Sequence, residues 1–452
     1  MRSADEGFAW FESFLRIDRG DYDPRRFRLA RMRRLLAACG DPHRAYDVIH
    51  ITGSKGKGST GAFLGSLLHA RGMRCRIYSS PHVVDYRERV RILGEELPDE
   101  AAWTLFRRIE QIVADERRSV PEHELPTTFE LLTLYGFLAF REAGCDIAVV
   151  EVGIGGRTDA TNVVDPLAAV ITPIELEHTD LLGPTHRSIA GEKGGIIARG
   201  RPVFLAHQNP EARATLLRIA HLRRAPVHEL SAELQALTTK GAGLMTMQLR
   251  DMPPVTAPLR MPGRVQARNA ALAALVVRTL YPGTSEETLV TGLTSAWVPG
   301  RSELVRSDPP VLLDGAHTPD SIRHVAETAT ALADQVGAGR MVVLFGAVAG
   351  KEHAAMLRIL ADTFHRIIIT TPGTFKESNV HELLRLCQAV GGTCELRVDP
   401  EDALRNALPS PAEKEANATS GDRTLIVVTG SFYLVGEVRR IIQSRRGAWE
   451  DG

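Results

Sequence analysis

A chain of 452 residues is too long for one average core and points to two domains. Its 44% hydrophobic and 24% charged residues are ordinary for a globular protein, and lysine plus arginine balances aspartate plus glutamate at 55 each, which argues against a nucleic-acid partner or a membrane-surface role. The five cysteines contain no CxxC pair, so they indicate neither a disulfide framework nor a thiolate zinc site and fit a reducing cytoplasm. Met1 to Gly7 lacks an apolar signal core, and no run approaches the roughly 18 apolar residues that a membrane span requires.

Residues 25–38 are arginine-rich, with Phe27, Leu29, Met32, Leu35 and Leu36 at helical spacing, and Cys39-Gly40-Asp41-Pro42 ends that helix. The β-branched run Asp47 to Thr52 then empties into Gly53-Ser54-Lys55-Gly56-Lys57-Gly58-Ser59-Thr60. Glycines at 53, 56 and 58 allow backbone N–H groups to converge on an anion, a helix from Ser59 to His69 turns its positive end to the same point, and Lys57 supplies a cation for the β- and γ-phosphates. The pattern departs from the usual P-loop, because Gly58 stands where a hydroxyl residue normally follows the lysine and the hydroxyl arrives at Ser59.

Cys75 to Tyr78 reads as a strand and Ser79-Ser80-Pro81-His82 as a turn. A helical stretch at 127–143 leads into Asp146 to Glu151, a short apolar run of the type buried in a parallel sheet, and 168–173 is another strand. Glu151 opens the turn Val-Gly-Ile-Gly-Gly-Arg-Thr-Asp-Ala-Thr-Asn162. At such a strand end a carboxylate either holds magnesium beside phosphates or makes a salt bridge. Gly153, Gly155 and Gly156 suggest a dinucleotide fingerprint, but no clear helix follows them. His178 lies just past a strand on the same sheet edge, and Lys193 alone reads as a solvated lysine. Strands alternating with helices, with polar residues at their carboxyl ends, predict a doubly wound α/β domain.

A helix at about 267–280 closes that domain, and the organisation restarts at Pro299-Gly300-Arg301. Val311 to Asp314, Met341 to Phe345, Arg366 to Thr370 and Thr424 to Thr429 read as four strands of a second, smaller α/β domain, which places the domains at 1–298 and 299–452. Pro409 to Asp422 is polar and aperiodic and reads as a mobile surface loop. No internal repeat stands out.

These segments in their order resemble the folylpolyglutamate synthase and dihydrofolate synthase family, a branch of the Mur-ligase superfamily of ATP-dependent amide ligases. The resemblance rests on Gly53 to Ser59, Ser79 to Arg91, Thr128-Phe-Glu130, Glu151 to Asn162, Glu177-His178 through Glu192-Lys193, Pro262-Gly-Arg264 through Asn269, Pro299-Gly-Arg301, Asp314-Gly-Ala-His-Thr-Pro319 and Gly430 to Gly436. It implies a Mur-ligase-like P-loop domain followed by a smaller Rossmann-like α/β domain. It further implies that Gly56, Lys57, Gly58 and Ser59 hold the ATP phosphates, that Asn269, Arg301 and Asp314 complete the nucleotide site, and that Ser80, Glu151 and His178 ligate Mg2+. Lys193 corresponds to the lysine this family carries as a carbamate. The pterin end of the substrate falls to Ser79, His82 and Arg89 and to Gly155, Gly156, Arg157, Thr158 and Asp159, with His317 near the reacting phosphate.

The implied reaction transfers the γ-phosphoryl group of ATP to the carboxylate of dihydropteroate or a reduced folate, and L-glutamate then displaces phosphate to form an amide. Closure of the two domains would assemble the site and exclude water. The family resemblance also implies a monomer. Four departures bear on specificity: Ser54-Lys55 replaces Thr-Asn, Glu177 replaces Asp, Thr318 replaces Asn, and Gly350-Lys351-Glu352 replaces Asp-Lys-Asp. A Mur-type ligase with another acceptor, an inactive folate- or nucleotide-binding paralogue and a nucleotide-dependent switch are the competing readings, the last without an Asn-Lys-x-Asp motif.

Overall fold

The computed structural model describes residues 3–14, 29–93, 97–373, 377–409 and 423–444. The described residues divide into two compact units, one within Met1–Gln235, Gln248–Pro253 and Asn269–Leu293, the other within Ala236–Met247, Pro254–Arg268 and Thr294–Gly452. The second unit thus takes residues 236–247 and 254–268, which lie in the first of the two domains expected above, and resumes at Thr294.

The first unit is built on seven strands: β1 (Asp47–Thr52), β2 (Cys75–Tyr78), β3 (Val90–Ile92), β4 (Ile147–Glu151), β5 (Ala168–Ile171), β6 (Val203–Leu205) and β7 (Val227–Glu229). Their order is β3-β2-β4-β1-β5-β6-β7, parallel throughout except for β3, which runs antiparallel to β2. Every residue of β4 and β5 is buried, as helices covering both faces of a parallel sheet require. One face carries Phe8, Phe11, Phe106 and Tyr135 from the helices Ala4–Glu12, Asp99–Ser119 and Thr128–Glu142, with the Phe106 and Tyr135 rings stacked at 4.7 Å. The same face, toward β5 and β6, carries Ile189, Ala212 and Leu216 from the helices His186–Lys193 and Pro210–Leu222, because Val150 and Ala169 both pair with His50; the helix Lys57–Ala70 covers the opposite face, where a Cβ on Gly61 would stand 3.6 Å from Val149.

The helix after β1 is Lys57–Ala70, which starts two residues before the expected Ser59 and so brings Lys57 into its first turn. The arginine-rich helix is described over Leu29–Ala38, and residues 25–28 lie outside the described residues. Strands β3, β6 and β7 had no separate signal; β6 and β7 are three residues each, too short to show a period.

A three-stranded sheet of β8 (Leu234–Lys240), β9 (Leu244–Leu249) and β10 (Val255–Pro258), absent from the expectation, lies mostly in the second unit. The principal sheet of that unit has six strands rather than four: β11 (Glu303–Ser307), β12 (Pro310–Leu313), β13 (Arg340–Phe345), β14 (Arg366–Ile369), β15 (Cys394–Leu396) and β16 (Thr424–Thr429). Their order is β11-β12-β16-β13-β14-β15, with only the edge strand β11 antiparallel. Residues 410–422, read above as a loop, lie outside the described residues.

Candidate active site

In the first unit, β1 pairs with β4 on one side and β5 on the other, so Ile51 lies opposite Glu151 and Thr52 opposite Ile171. The chain runs from β1 outward in one direction to β2 and from β4 across to β5. The carboxyl ends of β4, β1 and β5 therefore border the crevice where open α/β sheets bind ligands.

The loop after β1 is tied to the segment after β5. Ser54 donates its N–H to the Pro173 carbonyl at 2.8 Å, and its hydroxyl accepts from Glu175 N at 3.0 Å and donates to Glu175 O at 3.1 Å. Gly56 has φ 83°, and a Cβ there would stand 2.7 Å from Asn269 Oδ1, so only glycine allows this turn with the buried Asn269 against it. Lys57 and Lys193 each donate Nζ–H to the Gly53 carbonyl at 3.0 Å. Lys57 thus stands at the start of a helix, where the N-terminal dipole favours an anion, while Lys193 reaches the same oxygen from the helix His186–Lys193.

Lys193 is far from the solvated lysine its sequence context suggests. It is 1% exposed and paired with Glu177 at 2.9 Å. Burial lowers its pKa to about 8 despite Glu177, and the neighbouring Lys57 adds to the fall. For Glu177, burial pushes the carboxyl up, but Lys193 and Lys57 more than offset it and leave the pKa below its usual value.

Glu151 is buried, accepts from Ser80 N at 3.4 Å, and lies 3.5 Å from where a Cβ on Gly58 would stand. Ser80 and Glu151 are thus brought together beside the P-loop. His178 follows β5, is exposed, and has the left-handed φ of 46° at the start of the short helix Thr179–Leu182. Among the described residues no three His, Cys, Asp or Glu side chains form a metal-holding group.

The turn after Glu151 is organised by Asp159. Its Oδ2 accepts from Gly153 N and Ile154 N at 3.1 Å each, and its Oδ1 accepts from Thr161 N at 2.9 Å and Thr161 Oγ1 at 2.5 Å. Burial raises its pKa against the pull of those donors. The Thr161 hydroxyl also meets His50 Nε2 at 2.9 Å, and burial lowers the His50 pKa to about 3, so this imidazole is neutral. Thr52 Oγ1 donates to the carbonyl of Gly155 at 2.7 Å, while Gly156 is buried next to it. Arg157 and Thr158 are exposed, and Arg157 Nη2 donates to Gly191 O at 2.9 Å.

In the Ser79–Arg89 loop, Ser79 N donates to Arg89 O at 2.9 Å, and Arg89 Nε donates to His82 Nδ1 at the same distance. Burial, with Arg89 adding to it, lowers the His82 pKa to about 4, so a neutral ring accepts from the guanidinium and lies 4.1 Å from the Tyr86 ring.

In the second unit, Asp314 directly follows β12 and is buried. Its Oδ2 accepts from Ser302 N at 2.8 Å and its Oδ1 from Ala316 N at 2.9 Å. Burial raises its pKa, against Arg301 and these donors. Gly300 N donates to Glu303 at 2.8 Å, and Glu303 is paired with Arg439 at 3.2 Å. The Arg301 guanidinium carbon lies 4.2 Å from the Phe432 ring centroid. His317 Nδ1 is 2.8 Å from the Gly315 carbonyl, so Nδ1 carries the hydrogen. His50, Thr161, Glu303, Arg439 and Phe432 had no sequence signal of a role at these turns. Of them Phe432, inside the Gly430 to Gly436 motif, Thr161, inside Glu151 to Asn162, and His50, in the run Asp47 to Thr52, stood in segments already marked.

A P-loop with a strand-end carboxylate on one doubly wound sheet, followed by a second α/β unit, defines a ligase of the Mur class. Residues 51–277 match the Mur ligase middle domain, and residues 300–432 match the Mur ligase glutamate ligase domain. The dihydrofolate synthase/folylpolyglutamate synthase of Bacillus subtilis is 31% identical over 420 residues, covering 91% of this chain and 94% of that protein. A probable bifunctional folylpolyglutamate synthase/dihydropteroate synthase of Halobacterium salinarum is 35% identical over 411 residues, covering 90% of this chain; the chain spans about half of that protein, 48% of its length. The structure of Mycobacterium tuberculosis folylpolyglutamate synthase complexed with ADP superposes with a TM-score of 0.82 at 30% identity, covering 97% of this chain and 98% of that one. The chain belongs to the dihydrofolate synthase/folylpolyglutamate synthase family of ATP-dependent, ADP-forming ligases.

Proposed function

We propose that this chain joins L-glutamate to dihydropteroate, to reduced folates, or to both. A carboxylate is a poor acyl donor because its leaving group would be oxide. Its oxygen therefore attacks the γ-phosphorus of ATP, ADP departs, and an acyl phosphate remains. The α-amino nitrogen of glutamate adds to the acyl carbon, and the tetrahedral intermediate collapses to an amide, releasing phosphate and a proton. No serine or cysteine nucleophile is needed; positioning and charge neutralisation carry phosphoryl transfer.

The observation that carries this reading is the P-loop corner, where Lys57 at the start of its helix meets the Gly53 carbonyl at 3.0 Å and the buried Glu151 stands beside Gly58. Lys57, the backbone of Gly56 and Gly58, and Ser59 would bind the triphosphate, with Asn269 beside Gly56; Arg301 and Asp314 are the second-unit nucleotide contacts in this proposal. Ser80, Glu151 and His178 would hold magnesium, for which the buried Glu151 carboxylate is the hard oxygen donor the ion favours. Magnesium bound there would neutralise charge on the transferring phosphoryl group. Ser79, His82, Arg89 and the Gly155–Asp159 turn are proposed for the pterin, and His317 for the region of the reacting phosphate.

Lys193 suits the carbamate reading, because only a neutral amine adds CO2 and a pKa of about 8 leaves roughly a quarter of it neutral at pH 7.5. The resulting anion would repel Glu177, and Lys57 is the cation at hand to receive it. Labelled bicarbonate should give a carbamate carbon resonance that Lys193→Met lacks; no resonance in the wild type overturns the assignment.

All five cysteines are free thiols, which supports a cytoplasmic setting, and among the described residues no helix is long and apolar enough to cross a membrane. A monomer acting without nucleic-acid or membrane partners completes the proposal. Phosphate release from ATP and magnesium with L-glutamate, comparing 7,8-dihydropteroate, tetrahydrofolate and neither, tests it. Release and amide mass that require both glutamate and a pterin acid are expected; folded, ATP-binding protein that makes no such product would overturn it.

A further inference from the structure

The backbone of the Arg301 turn is tied on three sides. Gly300 N donates to Glu303, Ser302 N donates to Asp314 with Ser302 at φ 47°, and Gly315 N donates to the Gly300 carbonyl at 2.9 Å. None of these bonds orients the guanidinium, which sits at the end of a long side chain with several rotamers to lose. The aromatic face of Phe432, 4.2 Å from Arg301 Cζ, offers it a cation–π surface, and the Asp314 carboxylate lies close enough to feel its charge.

That ring is itself held from several directions. A Cβ on Gly315 would stand 2.3 Å from a Phe432 ring carbon, so the ring fills the space that glycine leaves beside Asp314. His317 meets the same ring edge-on, with centroids 6.0 Å apart and planes at 62°. Phe432 opens the helix Phe432–Ser444, and Ser431 Oγ accepts from Leu434 N at 3.1 Å to fix that end. Arg439, seven residues on and thus on the same helix face, pairs with Glu303, which holds the Gly300 N–H. One helix stripe therefore grips the turn twice, through its backbone by way of Glu303 and through its functional side chain by way of Phe432.

We infer that Phe432 is a positioning residue of the nucleotide site, holding the Arg301 guanidinium flat so that its N–H edge, rather than its face, meets a phosphate or the nucleotide. The inference rests on the proposed role of Arg301 as a nucleotide contact. A leucine at 432 would keep apolar bulk and lose the π face, whereas tyrosine would keep the face.

The test measures the Kd for ADP with magnesium by calorimetry, and KM for ATP against kcat, in the wild type, Phe432→Leu, Phe432→Tyr, Arg301→Ala and the double variant Arg301→Ala/Phe432→Leu. We expect Phe432→Leu to weaken ADP binding and raise KM for ATP by about fivefold, the scale of one cation–π contact, with kcat changed less than about twofold. Phe432→Tyr should restore both within about twofold, and Phe432→Leu should add nothing on the Arg301→Ala background. An unchanged Kd in Phe432→Leu, a loss that tyrosine does not restore, or the same loss with Arg301 already removed would overturn the inference. Wild-type affinity for ADP in Arg301→Ala would overturn it too, through its premise. ADP binding without glutamate- and pterin-dependent product would instead sink the ligase proposal and leave the positioning role to be judged on Kd alone.

Discussion

The two units hold the basic side chains proposed for their sites by different means. In the first, Lys57 and Lys193 are aimed by a backbone carbonyl, that of Gly53, in a loop whose shape glycines make possible. In the second, Arg301 meets side chains from a helix more than a hundred residues on: Phe432 under its guanidinium, and Arg439, which pairs with Glu303 behind its turn. Lys57 is local to its loop and only partly buried, so one point change there removes its charge with little effect on the fold. A site made by packed side chains couples function to stability, so changes behind the turn should affect both.

The largest effect separating these cases is expected for Lys57→Ala. Loss of the phosphate-facing charge should reduce ligation by about a thousandfold or more, as removal of a preorganised electrostatic group does elsewhere, with the melting temperature nearly unchanged. Near-normal phosphate release in that variant would show that the corner does not cradle phosphate.

Lys193 gives the next largest effect, read in stability rather than rate. Its folded pKa is lowered from 10.5 to about 8, so between those values the unfolded chain binds more protons than the folded one. Stability relative to Lys193→Met should therefore rise as pH increases from 8 to 10.5, by about 3 kcal/mol, and the gain should be lost as pH falls from 10.5 back to 8, with no further change below that. Urea unfolding of both proteins in CO2-free buffer measures it; a flat difference across the window would show that the buried ammonium is compensated in full by Glu177.

The same contrast explains what could be read before folding. The P-loop, Glu151 at its strand end and the long apolar strands were legible because each is a contiguous pattern with a physical meaning. Glu177 and Lys193 were marked by resemblance, but their 2.9 Å pair joins residues sixteen apart across a loop and helix, which no local period encodes. Asp159 was marked by resemblance as part of the pterin turn; that its carboxylate takes four donors within that turn is a consequence of backbone geometry that the glycine-rich motif hides. Strands β6 and β15 escaped for a plainer reason, being three residues each. Glu303 with Arg439 is a further case, a contact over 136 positions with no motif at either end.

That pair supplies the third prediction. Glu303 and Arg439 side chains are only 13% and 14% exposed, and Glu303 also accepts from Gly300 N. Arg439→Met should leave a carboxylate short of its cation and cost about 2 kcal/mol in urea unfolding, toward the low end for a broken ion pair that is not fully buried. It should also raise KM for ATP, because the Arg301 turn loosens. Loss of stability without any change in KM would separate the fold of the turn from its function.

The smallest expected effect concerns Thr318, where the family has asparagine. Thr318 is the N-cap of the helix Pro319–Val336: its backbone is extended, its hydroxyl accepts from Ser321 N at 3.4 Å, and Ser321 Oγ accepts in return from Thr318 N at 3.0 Å. Asparagine caps as well as threonine, so the departure preserves the local fold while removing an amide next to His317. Thr318→Asn should leave stability within about 0.5 kcal/mol, whereas Thr318→Ala should lose about 1 kcal/mol, both by urea unfolding. If Thr318→Asn changes glutamate or pterin KM at constant stability, the amide reads substrate; if nothing moves, the position serves the helix alone, and this edge of the second unit tolerates drift because capping asks only for a short oxygen-bearing side chain.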